Sequence, residues 1–219
     1  MKREVFAVLI DLYLNGKQVV VFGGGGEAEL KIVKALDGGA KITVVSKYFT
    51  QGIMRLADAG KVRVIEYDLK DGYSALKKQI GKPYVVFLAT DDFKLNQRGV
   101  KFAKGLGAIV CVVDTPELCD FAMPAIAKIG DIRIGISTGG RSPIVAKLIR
   151  QRIEGLITDE DLVQLELQEY ARRKIRSRMN AFPLRKKFLW KIIEDDEIQN
   201  LVKARKLEQA KLLVDRRVG

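Results

Sequence analysis

Short apolar runs alternate with amphipathic segments along the first 143 residues of the chain. Six of the runs are apolar enough to be strands that are buried on both faces, as in a parallel sheet. They comprise residues 17–22, 40–46, 62–67, 84–89, 108–113 and 132–137. Segments between them, such as residues 27–36 and 94–106, have the character of helices that pack on a sheet. This alternation predicts an α/β fold with a doubly wound, mostly parallel sheet.

The last third of the chain has a different pattern. No strand-like run follows residue 143, and residues 144–157, 159–179 and 184–214 form long, charged and periodic segments, with Pro183 as a break. Thr158 is followed by three acidic residues, which is typical of a helix start, because the hydroxyl caps the helix and the acids favour its positive end. We therefore expect a helical C-terminal part.

A glycine-rich turn follows the first predicted strand and opens a predicted helix. The turn runs through Gly23, Gly24, Gly25, Gly26, Glu27 and Ala28. Read as G-x-G-x-x-A, it uses Gly23 for the tight turn, Gly25 for the approach of a pyrophosphate, and Ala28 for close packing of the helix on the sheet. The free N–H groups at the helix start would bind the phosphates. The strand–turn–helix context favours a Rossmann-like dinucleotide site over a glycine turn without a ligand.

The end of the second predicted strand lacks one expected feature. An NAD site usually has an acidic residue there, which holds the ribose hydroxyls. This chain has Ser46 and Lys47 instead. Ser46 can still hydrogen-bond a ribose, whereas Lys47 would favour the 2′-phosphate of NADP. These residues leave the choice between NAD and NADP open.

Polar residues also follow three later predicted strands. Thr90 and Asp91 come after the fourth run, Asp114 after the fifth, and Thr138 with Gly139 after the sixth. Ligands bind at the carboxyl ends of the strands in such sheets, so we expect the three groups to lie on one rim. Each group taken alone is equally typical of a turn.

Composition restricts the chemistry. The chain carries 39 Lys+Arg and 27 Asp+Glu residues, a net charge of +12, and no histidine. Residues 172–219 hold 15 of the basic and 6 of the acidic residues, so nine of the twelve excess charges lie there. The lack of histidine excludes Ser-His-Asp hydrolysis and any acid–base step at an imidazole. Any proton transfer must therefore fall to Asp, Glu, Lys, Tyr, Cys or the cofactor.

Neither the cysteines nor the N-terminal sequence indicates a secreted or membrane-bound protein. Cys111 and Cys119 are eight residues apart, which fits neither a CxxC zinc knuckle nor a redox pair. Residues 1–14 begin with basic residues and run apolar, but they contain Asp11 and lack a small-residue cleavage site. No segment approaches the ~20 uninterrupted apolar residues that span a bilayer. We expect a soluble, cytoplasmic protein without a resident metal.

Four stretches resemble the amino-terminal module of siroheme synthase, the precorrin-2 dehydrogenase family, some of whose members are also sirohydrochlorin ferrochelatases. They are FAVLIDLYLNGKQVVVFGGGGEAELKIVKAL, FLATDDFKLNQ, CVVDTPELCDFAMPAI and ISTGGRSPIVAKLIRQRIE, in the family's order. The resemblance covers roughly residues 6–155, and a basic helical tail also suits the family.

The resemblance implies an NAD-dependent oxidation of precorrin-2 to sirohydrochlorin on the route to siroheme. It implies an NAD-binding Rossmann domain at residues 1–113, a central dimerisation segment at 114–150, a helical basic domain at 151–219, and a homodimer. The family places an essential aspartate where this chain has Asp114. Because the chain has no histidine, we then expect Asp114 to be the general base; the alternative is that it orients the substrate or caps a turn. Thr138, Gly139 and Arg141 are then candidates for substrate binding, and the basic tail suits a substrate with many carboxylates. Iron insertion is left open.

Three other interpretations compete. The basic tail would suit a nucleic-acid-binding regulator, although it contains no recognisable DNA-binding motif, and we expect no nucleic-acid partner. The second interpretation is a regulatory module that binds NAD(H) as a sensor and catalyses no reaction. Tyr170 and Lys174 spell the Y-x-x-x-K of short-chain dehydrogenases, but the wider glycine spacing and the later strands of that class are missing.

Overall fold

A computed structural model describes residues 7–218, and its first compact unit contains a five-stranded parallel sheet. The spatial order is β3-β2-β1-β4-β5. The strands are β1 (Gln18–Phe22), β2 (Lys41–Ser46), β3 (Val62–Glu66), β4 (Val85–Leu88) and β5 (Ile109–Val112). The order reverses between β1 and β4, where ligands bind in open α/β sheets. The doubly wound, Rossmann-like fold class is confirmed.

Helices cover both faces of this sheet. They are α1 (Gly26–Asp37), α2 (Gln51–Asp58), the short α3 (Lys77–Ile80) and α4 (Phe93–Gly105). β1 and β4 are almost wholly buried, because alternate side chains of each strand enter two separate hydrophobic clusters. Val19 and Val21 belong to one cluster, whereas Val20 and Phe22 belong to the other. This explains why the strand sequences are apolar without alternation.

The sixth predicted strand is not part of the parallel sheet, and this corrects the prediction from sequence. β6 (Ala125–Ile129) and β7 (Ile132–Ile136) pair antiparallel as a separate two-stranded sheet. Burial along β7 alternates, because only one face packs against other residues. Arg133 and Gly135 interrupt the apolar residues at every second position, which indicates a half-buried strand. Thr138 and Gly139 therefore do not follow a strand of the parallel sheet.

Packing divides the described chain into two compact units, one ending at Met123 and the other beginning at Pro124. In the second unit, α5 (Pro143–Glu154) packs on the β6–β7 hairpin through Ala127, Ile136 and Ala146. The remaining helices share a core of their own. They are α6 (Asp159–Arg176), α7 (Phe182–Glu194), α8 (Asp196–Lys203) and α9 (Leu207–Val218).

The periodic segment at residues 184–214 is divided among three helices, α7, α8 and α9. Asp195 begins α8, because its carboxylate accepts hydrogen bonds from the N–H groups of Glu197 and Ile198. Arg205, between α8 and α9, has a φ of +56° that no helical residue adopts. Within residues 7–218, none of the helices is both long and apolar enough to cross a membrane.

Candidate functional site

The first two glycines of the turn are required by the close approach of neighbouring chain segments. Gly23 has a φ of +115°, and a Cβ there would overlap the carbonyl oxygen of Ala89. A Cβ on Gly24 would overlap the carbonyl oxygen of Tyr48. Hydrogen bonds connect the turn and the end of β1 to both neighbouring strands. The Gly23 N–H donates to the Val45 carbonyl of β2, and the Phe22 carbonyl accepts from the N–H of Ala89, which follows β4. Gly23 thus closes the turn against the end of β4.

The next two glycines face open space. Apart from the adjoining residues and the backbone of α1 itself, no heavy atom among residues 7–218 lies within 4 Å of a Cβ built on Gly25 or Gly26. Gly25 precedes α1 and has no side chain to cap it. The first N–H groups of a helix have no partners within the helix, and the helix dipole places positive charge there. Glu27 is exposed at this helix start, and Ala28 is buried under it. This geometry fits a pyrophosphate that rests on Gly25 and Gly26.

Gly25→Ser is expected to weaken NAD binding by about tenfold or more, equivalent to about 1.4 kcal/mol, without destabilising the fold. The backbone of Gly25 is extended (φ −82°, ψ −173°), and serine is a better helix cap than glycine. The new hydroxyl would take the N–H groups and the space that the phosphates need. Calorimetric titration with NAD and thermal unfolding measure the two effects. Equal NAD affinity in variant and wild type would contradict the placement of the pyrophosphate.

The end of β2 carries a charged pair that the sequence did not reveal. Lys47 Nζ lies 3.2 Å from Asp68 Oδ2, and Asp68 follows the neighbouring strand β3. Hydrogen bonds from the Lys70 N–H and the Lys47 ammonium lower the pKa of Asp68, while the hydrogen bond to Asp68 raises the pKa of Lys47. Ser46 lies beside the turn, with its Oγ 3.0 Å from a Cβ built on Gly24. Lys47 is thus already partnered by a carboxylate at the edge where a ribose would lie.

Asp68→Asn is expected to improve NADP binding relative to NAD by about fivefold, the upper range of an exposed ion pair. Removing the carboxylate frees the Lys47 ammonium for a 2′-phosphate and removes a negative charge that repels it. The ratio of the two dissociation constants measures the effect. The double variant Lys47→Gln/Asp68→Asn is the control and should return the ratio towards that of the wild type. No change in Asp68→Asn would contradict this role of the pair.

A cleft of about 310 Å³ lies at the carboxyl ends of β4 and β5, beside the start of α1. It brings together Thr90, Asp91 and Asp114, which the sequence placed on one rim, with Glu27 of the glycine turn. The full lining comprises Glu27, Ala89, Thr90, Asp91, Phe93, Asn96, Val113, Asp114 and Thr115. The start of α1, which fits a pyrophosphate, and the residues after β4 and β5 therefore border one space.

Asn96 lines this cleft and was missed by the sequence analysis. It is 3% exposed, and its amide donates to the Thr90 carbonyl over 2.8 Å while its Oδ1 accepts from the Thr90 hydroxyl over 2.6 Å. The hydroxyl of Thr90 is thus held by the protein. The sequence feature that could have revealed Asn96 is its place as a polar residue on the buried face of α4, together with Gly99, Val100 and Ala103.

Asp114 lies two residues after the end of β5 and has an unusual backbone conformation. Its φ is +58°, a left-handed conformation that aspartate tolerates better than most residues. The preceding residue is fixed, because the N–H of Val113 donates to Leu88 over 2.9 Å. The Asp114 side chain is exposed at the cleft. A left-handed residue beside a cleft is the kind of local strain that often accompanies function.

Thr138, Gly139 and Arg141 share one turn between β7 and α5, in the second unit. The Thr138 hydroxyl donates to the Ser142 carbonyl over 3.1 Å and accepts from its N–H over 3.2 Å. Arg141 Nε donates to the Thr138 carbonyl, and Gly139 and Arg141 are exposed. Substrate binding by this turn stays a prediction.

The Y-x-x-x-K pattern of Tyr170 and Lys174 has a structural explanation. The Tyr170 hydroxyl donates to Asp215 over 2.8 Å, and Lys174 forms an ion pair with the same carboxylate at 3.2 Å. The Y-x-x-x-K pattern therefore links α6 to α9. Throughout residues 7–218, no group of three or more Cys, Asp or Glu side chains is arranged to hold a metal ion.

The sheet order, the glycine turn and the cleft at the strand ends define a dinucleotide-binding protein of the Rossmann type. A family model for NAD(P)-binding domains matches residues 10–125, and one described as sirohaem biosynthesis protein central matches residues 130–156. The chain belongs to the precorrin-2 dehydrogenase family, which confirms the resemblance read from the sequence.

Named relatives support this assignment. Precorrin-2 dehydrogenase of Methanosarcina barkeri is 36% identical over 86% of this chain and 84% of its own. Siroheme synthase of Actinobacillus pleuropneumoniae is 30% identical over 92% of this chain, which spans 40% of that longer protein. The solved structure of SirC, precorrin-2 dehydrogenase, matches with a TM-score of 0.70 and 25% identity, covering 94% of this chain and 98% of the other.

Proposed function

We propose that this protein oxidises precorrin-2 to sirohydrochlorin with NAD, a step of siroheme biosynthesis. The observation that carries the proposal is the cleft in which the start of α1, beside open Gly25 and Gly26, meets the exposed Asp114. An NAD whose pyrophosphate lies at the start of α1 would extend towards the ends of β4 and β5. The substrate would then be oxidised next to Asp114.

The reaction removes two hydrogens from the substrate, one as a hydride and one as a proton. When bound, NAD accepts the hydride and becomes NADH. The proton needs a base, and Asp114 is the group that we assign to it, since its carboxylate is exposed at the cleft and the chain has no histidine. Asn96 and Thr90, which also line the cleft, are fixed by their hydrogen bonds to each other. Gly25 and Gly26 would hold the phosphates, Ala28 would keep the helix close to the sheet, and Ser46 would lie near the ribose.

The helical unit would contribute to substrate binding and assembly. Precorrin-2 bears many carboxylates, which suits the basic residues after position 171 and Arg141. We also propose that the protein forms homodimers and that it is cytoplasmic. The dimer is supported by exposed apolar residues on α5, since Ile144 is 81% exposed and Val145 and Leu148 are each 45% exposed. Residues 114–150 remain our candidate for the dimer contacts.

The test mixes the purified protein with NAD and freshly prepared precorrin-2 without oxygen and follows the absorbance of sirohydrochlorin. Conversion at a rate proportional to the protein concentration is expected. Binding of NAD without conversion would reject the dehydrogenase and leave a protein that senses the cofactor. Addition of Fe²⁺ to the product tests iron insertion in the same cuvette.

A further inference from the structure

The chain after β5 returns along the strand and closes a loop that carries Asp114. The N–H of Asp120 donates to the Val110 carbonyl over 2.8 Å, and Asp120 Oδ2 accepts from the Val110 N–H over 3.0 Å. Lys104 of α4 holds the other oxygen of Asp120 at 2.8 Å. Residues 113–119 are therefore a closed loop anchored at its base. Three of its residues, 113 to 115, line the cleft.

The side chain of Cys119 bridges the inside of this loop. Its Sγ accepts a hydrogen bond from the Val112 N–H over 3.0 Å. The same sulfur lies 3.2 Å from the Val112 carbonyl oxygen and 3.4 Å from that of Thr115. One sulfur atom thus contacts the backbone on both sides of Asp114. The N–H of Val112, at the end of β5, is satisfied by this side chain.

The second thiol, Cys111, lies beside the first but takes no part in these contacts. It lies on β5, is 6% exposed, and belongs to the hydrophobic cluster against which Cys119 packs. The hydrogen bonds of Cys119 with the backbone of Val112 and Thr115 do not involve the Cys111 side chain. Cys111 therefore provides a matched control for Cys119.

We propose that Cys119 is the positioning residue of Asp114, because its sulfur fixes the backbone on both sides of the strained aspartate and thereby directs the carboxylate into the cleft. The inference rests on the proposed function of Asp114. A left-handed aspartate in an exposed loop relaxes to other conformations unless the surrounding contacts hold it. Among residues 113–119, the side chain of Cys119 contacts the backbone on either side of Asp114.

Cys119→Ala is expected to lower kcat about tenfold or more, because small misplacement of a catalytic group is costly. The KM for NAD should stay the same, since the glycine turn is unchanged. Cys119→Ser should recover most of the loss, because its hydroxyl can also donate and accept. Cys111→Ala is the matched control: it removes the more buried thiol but leaves the contacts of Cys119 with the loop. Its kcat should stay within about twofold, while thermal unfolding reports the stability of each variant.

A folded Cys119→Ala protein with the kcat of the wild type would overturn the proposal. So would an equal fall of kcat in Cys119→Ala and Cys111→Ala, because a general loss of stability would then explain both. The role of Asp114 is tested separately. If Asp114→Asn is fully active, the base assignment itself fails, whereas an inactive Asp114→Asn with a fully active Cys119→Ala rejects only the positioning role.

Discussion

Asp114→Asn is expected to lower kcat by about 10³-fold with little change in the dissociation constant of NAD, since general bases contribute about 10²- to 10⁴-fold. Asparagine suits the test because it tolerates the left-handed backbone that Asp114 adopts at φ +58°. The substitution therefore removes the proton acceptor and leaves the loop intact. Single-turnover rates measured with saturating NAD report the chemical step directly.

A second carboxylate of the same cleft provides the control. Asp91 is exposed and lines the cleft after β4. If charge alone draws or holds the substrate, Asp91→Asn and Asp114→Asn will have similar effects, mainly on the KM for precorrin-2. If Asp114 is the base, only its variant will lose kcat. Full activity of Asp114→Asn would contradict the assignment.

Gly23→Ala is expected to destabilise the first unit by roughly 3 kcal/mol or more and to abolish measurable NAD binding. A side chain at φ +115° is strained, which costs about 1–3 kcal/mol, and the Cβ would also overlap the Ala89 carbonyl oxygen. To relieve the overlap, the turn must move away from the end of β4 and break the bond from Ala89 N–H to Phe22. Chemical denaturation and NAD titration measure the two effects.

Gly107→Ala separates the strain from the overlap. Gly107 has a φ of +80°, and apart from Gly107 and its two neighbours no heavy atom in the described part of the chain lies within 4 Å of a Cβ placed there. This variant should lose about 1–2 kcal/mol and bind NAD normally. If the two variants behave alike, the close approach of Gly23 to β4 has no special role.

The main features of the fold could be predicted because they depend on local patterns. Strands β1, β4 and β5 are apolar on both faces, and this character is visible in the sequence. Residues 132–137 were misplaced because their alternation, Ile132-Arg133-Ile134, indicates a strand buried on one face, as in the β6–β7 hairpin. The end of α7 was missed because Asp195, one acid in an acidic run, caps the next helix.

The candidate site could be predicted only in part, because some of its contacts join residues that are far apart in the sequence. The glycine turn is local, so its residues were recognised together. Asp68 pairs with Lys47 across 21 residues, and this contact depends on the register of β2 and β3. The spacing of Cys111 and Cys119 matches no CxxC motif and gave no sign that they lie together, but a strand followed by a returning loop brings Cys119 into the hydrophobic cluster that contains Cys111. Such contacts depend on tertiary structure, which the sequence pattern does not reveal.

The ratio of NADH to sirohydrochlorin, measured after a single anaerobic turnover with limiting precorrin-2, tests the central claim most directly. The absorbances of both products can be followed in one reaction. A dehydrogenase that passes one hydride from precorrin-2 to NAD must form the two products in equal amounts and at equal rates. Asp114→Asn should slow both rates together. Sirohydrochlorin that forms without NADH, or bound NAD that is never reduced, would contradict the account.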